Sequence, residues 1–241
     1  MKGIILSGGK GTRLYPLTYV TSKQLLPVYN RPMIFYPLNT LIKAGIKDIL
    51  IIVTPEHKAT YEKLFGNGES FGVHITYAEQ PQARGLAEAF IIGESFIGAD
   101  DVTLILGDNL YQDDFTEAIK SFTRGARVFA KKVTDPERFG VVAFDTAMNV
   151  TSIIEKPKIP QSPYAVTGLY IYDARVVMFA KELVPSNRGE IEIVDLHNRY
   201  LKLGELEVSI FEGAWIDAGT FDSLLLANIL AKESLHKDLI I

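Results

Sequence analysis

The chain contains no cysteine, which removes disulfides, thiolate metal sites and a cysteine nucleophile from consideration. It has one tryptophan and only four histidines, His57, His74, His197 and His236. No two of these histidines stand at the i,i+4 spacing of a metal pair and none accompanies a serine elbow, so structural or surface roles are expected for all four. Long hydrophobic runs are also missing: "ILIIV", Ile49 to Val53, is far too short to span a bilayer. The N-terminus "MKGIILSGG" has no apolar core of the signal-peptide kind. No membrane partner and a cytoplasmic location are therefore expected. A net charge of −4 argues against a general nucleic-acid binder. The most telling absence is local. From Met1 to Lys47 there are seven basic residues (Lys2, Lys10, Arg13, Lys23, Arg31, Lys43 and Lys47) and no acidic one. Lys43 and Lys47 read as a solvated face, whereas Lys10, Arg13 and Lys23 cluster around a glycine loop, where a compact polyanion explains them better.

That loop is "GGKGTRLYPLT", Gly8 to Thr18, directly after a short apolar run. Two familiar phosphate loops fail on spacing. A Walker A loop needs Lys-Ser or Lys-Thr after its last glycine, and here Thr12-Arg13 follows Gly11. A dinucleotide fingerprint beginning at Gly9 would end on glycine, and that position is Leu14.

With 241 residues, 47% apolar and 22% charged, the chain can bury a substantial core as one large domain or two small ones. "KGIILSG" reads as a buried strand, and "PMIFYPLNTLIKAG" places Ile34, Phe35, Leu38, Leu41 and Ile42 on one helical face, with Gly45 as the stop and Pro37 restricting the start. "DILIIVT", a helix over 56–65, "HITYA", a helix "GLAEAFIIGESFI" and "VTLILGD" continue the alternation. Apolar strands separated by helices imply a parallel sheet covered on both faces. After Phe122, "ARVFAKKV", "GVVAFD", "NVTSIIEKP" and "AVTGLYIYD" follow one another as strands. Helices "ARVVMFAKEL" and "EIVDLHNRYLKLG", a strand "LEVSIFE" and a helix from about Phe221 complete the chain. The expected fold is α/β: a Rossmann-like three-layer sandwich with a mostly parallel central sheet and an antiparallel or mixed extension. No linker or internal repeat divides it, so a single domain is expected, with residues 1–122 as one half and 123–241 as the other.

In an open parallel sheet, ligands bind at the carboxyl ends of strands. The glycine loop follows the first strand, Asp108 follows "TLIL", and Asp217 stands in "AWIDAGT" before the last helix. Either aspartate could simply cap a following helix. Two carboxylates at one sheet edge beside a basic loop would instead suit Mg²⁺, which takes one or two carboxylates plus substrate phosphates. The chain offers no obvious general base. A phosphate monoester needs none: with a second pKa near ~6 it is already a dianionic nucleophile at neutral pH.

These stretches, taken with "SKQLLPVYNRPMIFYPL", "EQPQARGLAEAF", "LGDNL", "RFGVV", "IIEKP", "YAVTGLYIYD", "RGEIEIVDLHNRYL" and "WIDAGT", resemble the sugar-phosphate nucleotidylyltransferases across almost the whole chain. The resemblance implies roles position by position. Leu6, Gly8, Gly9, Gly11, Thr12 and Arg13 would bind the nucleotide, the loop wrapping its triphosphate. Arg13 and Lys23 would stabilise departing pyrophosphate. Gln80 and the backbone at Gly85 would read the pyrimidine, and Asp108 and Asp217 would hold Mg²⁺. Gly140, Glu155 and Thr167 would contact the hexose and Lys156 its phosphate. From the residues alone, Glu155-Lys156 reads equally as a hairpin-end charge pair, and Gly140 and Thr167 as strand packing.

"GLAEAF" resembles the thymidylyl branch, which implies dTTP and glucose 1-phosphate as substrates. A UTP-dependent uridylyltransferase and a non-catalytic nucleotide-sugar binding module remain as alternatives. Gln82-Ala83-Arg84, Glu88, Phe139 and His197-Asn198 depart from the usual pattern. Apolar faces on "EIVDLHNRYLKLG" and neighbouring helices lead to the expectation of a homo-oligomer. Longer members carry a C-terminal helical extension that helps build a regulatory nucleotide site, and the closing "HKDLII" is too short to supply one. End-product nucleotide sugars are thus expected to inhibit weakly, by competition alone.

Overall fold

The computed structural model describes residues 1–235, so His236 and the closing "HKDLII" lie outside the described residues. In chain order the elements begin with β1 (Lys2–Ser7), β2 (Pro27–Val28), β3 (Arg31–Pro32), α1 (Phe35–Lys43), β4 (Asp48–Val53), α2 (Lys58–Phe65) and β5 (His74–Glu79). Next come α3 (Glu88–Ile92), α4 (Glu94–Ile97), β6 (Val102–Leu106), β7 (Asn109–Tyr111) and α5 (Thr116–Lys120). The remainder is β8 (Ala126–Lys132), β9 (Gly140–Phe144), β10 (Val150–Glu155), β11 (Tyr164–Tyr172), α6 (Val176–Glu182), α7 (Ile193–Lys202), β12 (Leu206–Ile210), β13 (Trp215–Asp217) and α8 (Phe221–Glu233). The described residues gather into two compact units that exchange segments along the chain. One comprises Met1–Ala83, Thr103–Ser121 and the chain from Gly213; the other comprises Arg84–Val102 and Phe122–Glu212.

The first unit carries strands in the order β6-β1-β4-β5. β1, β4 and β5 run parallel, with Ile5 opposite Ile51 and Ile51 opposite Tyr77. β1 and β4 are apolar and buried with little alternation, as a sheet covered on both faces requires, whereas β5 at the edge is buried only at Ile75. Pro37 falls in the first turn of α1, where its missing N–H removes no helical hydrogen bond, so the helix starts at Phe35 without disruption. Helix α8 is anchored by a capping box in which the Thr220 side chain accepts from the Ser223 backbone N–H. Its Ala227 and Ala231 pack with Leu235 against Val28, Met33, Tyr36, Leu110 and Ala218. A two-stranded ribbon, β7 against β13, completes the unit.

The second unit carries strands in the order β10-β9-β11-β8-β12. These pair antiparallel except at β8 and β12, which run parallel. The switch from parallel to antiparallel strands after Phe122 is the change of rhythm read from the sequence. Short elements go beyond the sequence reading (β2, β3, β7, α5 and β13), and one expected helix is broken. The expected helix "GLAEAFIIGESFI" is two short helices, α3 and α4, divided at Gly93, which sits at φ −82° and ψ 5°. Glycine lacks the side chain that would favour helical backbone, and a single turn on either side cannot outweigh that.

Candidate active site

In the first unit the glycine loop leaves the carboxyl end of β1, and the chain from β6 leaves beside it, since the Gly107 N–H donates to Leu6 O at 3.0 Å. β1 lies between β6 and β4, so this edge is the point where strand order reverses. The loop gives onto a short 3₁₀ turn, Thr12–Leu14, with Leu14 fully buried, and the first α-helix begins only at Phe35. There is no helix N-terminus behind the loop, in keeping with the rejection of both familiar phosphate motifs. Gly9 and Gly11 adopt left-handed φ of 87° and 60°. The Thr18 hydroxyl holds Gly11 O at 2.9 Å, and a Cβ on Gly11 would lie 3.3 Å from the Lys23 Cβ. A Cβ on Gly8 would run into Gln80 Oε1. Glycine is thus required both for backbone conformation and for close approach.

The structure brings Arg13, Lys23, Asp108 and Asp217 together. The Lys23 ammonium forms a hydrogen-bonded ion pair with Asp108 Oδ2. Burial works against the charged lysine, but Asp108 and then Asp217 outweigh it and hold its pKa above the usual value, with Arg13 opposing. Burial likewise pushes Asp108 up, and the Lys23 charge and hydrogen bond together with the Asn109 amide bring it down. Asp108 and Asp217 are joined by the β7/β13 ribbon: Asp217 is registered opposite Asn109, and the Ala218 N–H donates to Asp108 O at 2.9 Å. A Cβ on Gly219 would lie 2.8 Å from Arg13 Nη2 and 3.0 Å from Asp217 Oδ1, so this glycine leaves room for both side chains. Neither aspartate caps a helix. Asp108 leads into β7, and α8 is capped by Thr220.

The ribbon also explains two residues that motif reading passed over. Trp215 Nε1 donates to Asn109 Oδ1 at 2.7 Å, which turns the Asn109 amide nitrogen towards Asp108 Oδ1 at 3.2 Å. Both lay inside the quoted words "LGDNL" and "WIDAGT", but their function depends on a pairing of three-residue strands that periodicity cannot detect.

In the second unit, Gly140, Glu155 and Lys156 gather as expected, and two further residues join them. A Cβ on Gly140 would lie 3.5 Å from Glu155 Oε2. Lys156 takes a left-handed φ of 43°, its N–H donates to Phe139 O at 2.9 Å, and its ammonium lies 3.2 Å from Glu155 Oε1. Arg188 Nη2 lies 3.6 Å from the same Glu155 oxygen and donates to Glu192 Oε1 at 2.9 Å, while Ser186 Oγ donates to Glu192 at 2.7 Å. The result is two exposed cations on a shared carboxylate. The only sequence signal for Arg188 and Glu192 is their place in "RGEIEIVDL".

Thr167 differs. It is buried and its hydroxyl donates to Phe129 O at 3.0 Å, inside the register shift between Val166 and Tyr170. That carbonyl lies in the bulge, where the ladder is interrupted, and the side chain does structural duty there. Gly85 has φ 100° and packs onto the Ile191 backbone, while the Ile191 N–H donates to Arg84 O at 2.7 Å. Leu6 is buried near the end of β1. His197 is fully buried between Tyr170 and Tyr172, with no hydrogen-bond partner on either nitrogen among the described residues. His74 is exposed, 3.6 Å from Asp48.

A model of the nucleotidyl transferase family matches residues 2–234. A glucose-1-phosphate thymidylyltransferase of Neisseria meningitidis serogroup A is 57% identical over 230 residues, covering 93% of this chain and 80% of the relative. The protein of the same name in Mycolicibacterium smegmatis is 49% identical over 233 residues, covering 95% and 81%. Among solved structures, one from Bacillus anthracis, assigned to a glucose-1-phosphate thymidylyltransferase in complex with a sucrose, has a TM-score of 0.92 and 47% identity. That likeness covers 97% of this chain and 96% of the other.

Proposed function

This chain belongs to the nucleotidyl transferase family, and from that premise we propose that it transfers a deoxythymidylyl group from dTTP to glucose 1-phosphate, giving dTDP-glucose and pyrophosphate. The observation that carries the reading is the gathering of Arg13, Lys23, Asp108 and Asp217 beside a glycine loop with left-handed glycines.

The reaction joins an oxygen of the sugar phosphate to the α-phosphorus while the bond from that phosphorus to the β-phosphate oxygen breaks. No proton has to move, because the attacking phosphate is already anionic. The demand on the protein is alignment and charge. Arg13 and Lys23 face the charge that accumulates on pyrophosphate, and backbone N–H groups of the loop hold its oxygens. The fit of Asp108 and Asp217 to Mg²⁺ rests on donor chemistry, two carboxylates with substrate phosphates as the remaining ligands. Among the described residues no group of three or more His, Asp and Glu side chains forms a rival metal site. Held by Asp108 and Asp217, Mg²⁺ would supply Lewis-acid charge stabilisation at the α-phosphate. Gln80 and the Gly85 backbone read the pyrimidine. Glu155 accepts from sugar hydroxyls, while Lys156 and Arg188 leave Glu155 for the sugar phosphate.

Pyrophosphate release over a grid of nucleoside triphosphates and sugar 1-phosphates tests the reading. The expected result is highest kcat/KM for dTTP with glucose 1-phosphate and loss of turnover with EDTA. Preference for UTP would move the protein to the uridylyl branch, and no turnover with any pair would leave a binding module.

A further inference from the structure

Behind the Lys23–Asp108 ion pair lies a buried polar network to which the proposed chemistry gives no role. Tyr61, on α2, is completely buried, yet its hydroxyl lies 2.9 Å from Ser22 Oγ. Ser22 is also buried and donates its own proton to Gln24 Oε1 at 2.6 Å. A hydroxyl has one proton to give. Ser22 therefore accepts from Tyr61, and Tyr61 is the donor that starts a chain running Tyr61 to Ser22 to Gln24. Burial pushes the Tyr61 hydroxyl up to about 12, which keeps it protonated for that task.

The chain ends on residues that neighbour each partner of the ion pair in the sequence. Ser22 and Gln24 flank Lys23 in the sequence and define the 3₁₀ turn that carries it. Gln24 also abuts Gly107, since a Cβ there would lie 3.0 Å from Gln24 Cγ, and Gly107 precedes Asp108. The backbone of Gln24 is fixed in turn, its carbonyl accepting from the Ile34 N–H at 2.9 Å. The Tyr61 hydroxyl also faces the buried Ser7 hydroxyl on β1, which stands outside the chain to Lys23. A phenylalanine would fill the same space, but would leave Ser22 Oγ without its donor.

We infer that Tyr61 is a positioning residue, whose hydroxyl, through Ser22 and Gln24, sets the registration of the Lys23 ammonium on Asp108. The functional consequence rests on the nucleotidyl-transfer reading above; the positioning itself does not. A displacement of about 1 Å in such a group can reduce turnover up to ~10²-fold.

The test compares Tyr61→Phe, Ser22→Ala and the double variant with Tyr77→Phe. Tyr77 is a control from the same region, because its hydroxyl donates to Gly66 O at 2.7 Å and to Tyr61 O at 3.3 Å, outside the chain to Lys23. Tyr61→Phe is expected to lower kcat about tenfold with KM for both substrates within about twofold, scaled on that displacement effect. Ser22→Ala should do the same, and the double variant should be no worse than either, as coupled residues behave. Tyr77→Phe should lower Tm and leave kcat unchanged. A second readout needs no turnover: the ¹⁵Nζ resonance of the half-buried Lys23 ammonium should shift, and its hydrogen exchange quicken, in Tyr61→Phe but not in Tyr77→Phe. Wild-type kcat in Tyr61→Phe, or an unmoved Lys23 resonance, overturns the inference. A wild-type protein inactive on every substrate pair overturns the functional reading instead, and the resonance alone then decides the positioning.

Discussion

Asp108 and Gln80 in the first unit and Lys156 and Arg188 in the second are held in opposite ways. In the first, Asp108 is 6% exposed and paired with Lys23, and Gln80 is 4% exposed in space that only a glycine at position 8 leaves open. In the second, Lys156 and Arg188 are exposed and share carboxylates that a phosphate could replace. Preorganised charge suits a group that must act on a transition state without rearranging. Exchangeable ion pairs suit a group that must release one anion to bind another, since exposed pairs are worth little in themselves. Under the proposed function, this difference suits the first unit to chemistry and the second to recognition of the sugar phosphate.

The largest effect that would break this division is at Asp108. Asp108→Asn is expected to lower kcat by ~10²-fold or more, because charge stabilisation at a metal-assisted centre is worth several kcal/mol. It also leaves the half-buried Lys23 ammonium without its ion-pair partner, so Tm should fall as well. Steady-state kinetics and a melting curve on the same preparation check both. A folded variant with near wild-type kcat would remove Asp108 from the chemistry.

His197 sharpens the comparison, because burial alone does not mark a site. Its burial lowers its pKa from the ordinary 6.5 to about 3. The unfolded chain therefore binds a proton between those values that the folded chain does not. Stability is complete above pH ~6.5 and declines as pH falls towards ~3. His197→Phe removes two unpaired nitrogens, and should raise stability at neutral pH by about 1–3 kcal/mol, the penalty for a buried unsatisfied polar group. It should also flatten the acid limb of stability, read by urea unfolding at several pH values, with kcat unchanged.

Arg188→Ala is expected to raise KM for glucose 1-phosphate about tenfold with little change in KM for dTTP, the scale of one charge-assisted hydrogen bond. Initial-rate kinetics with each substrate varied in turn check this. Lys10→Gln should have the smallest effect. Lys10 lies exposed at the loop tip, so a rise of about threefold in KM for dTTP, shrinking at high salt, is expected.

The sequence made parts of this arrangement visible because they depend on neighbours in the chain. The glycine loop, the buried strands and the change of rhythm after Phe122 are local patterns, and all three stand in the structure. Arg13, Lys23, Asp108 and Asp217 could be nominated from their surroundings, but not that Lys23 would bond Asp108, which is 85 positions away. That contact follows from β6 lying beside β1, a matter of sheet order. Asn109 and Trp215 were hidden because their strands are three residues long, too short for alternation to register. The break at Gly93 was missed because apolar spacing on both sides continues through it. Thr167 illustrates the other case: of its two readings, the structure displays the packing one, its hydroxyl donating to Phe129 O at the bulge.

The division of roles is tested most directly by the chemical step itself, measured by rapid quench in a single turnover at saturating glucose 1-phosphate for wild type, Asp108→Asn and Arg188→Ala. The account predicts that the rate of dTDP-glucose formation falls ~10²-fold or more in Asp108→Asn and stays within about threefold of wild type in Arg188→Ala. Equal losses in the two variants would contradict it.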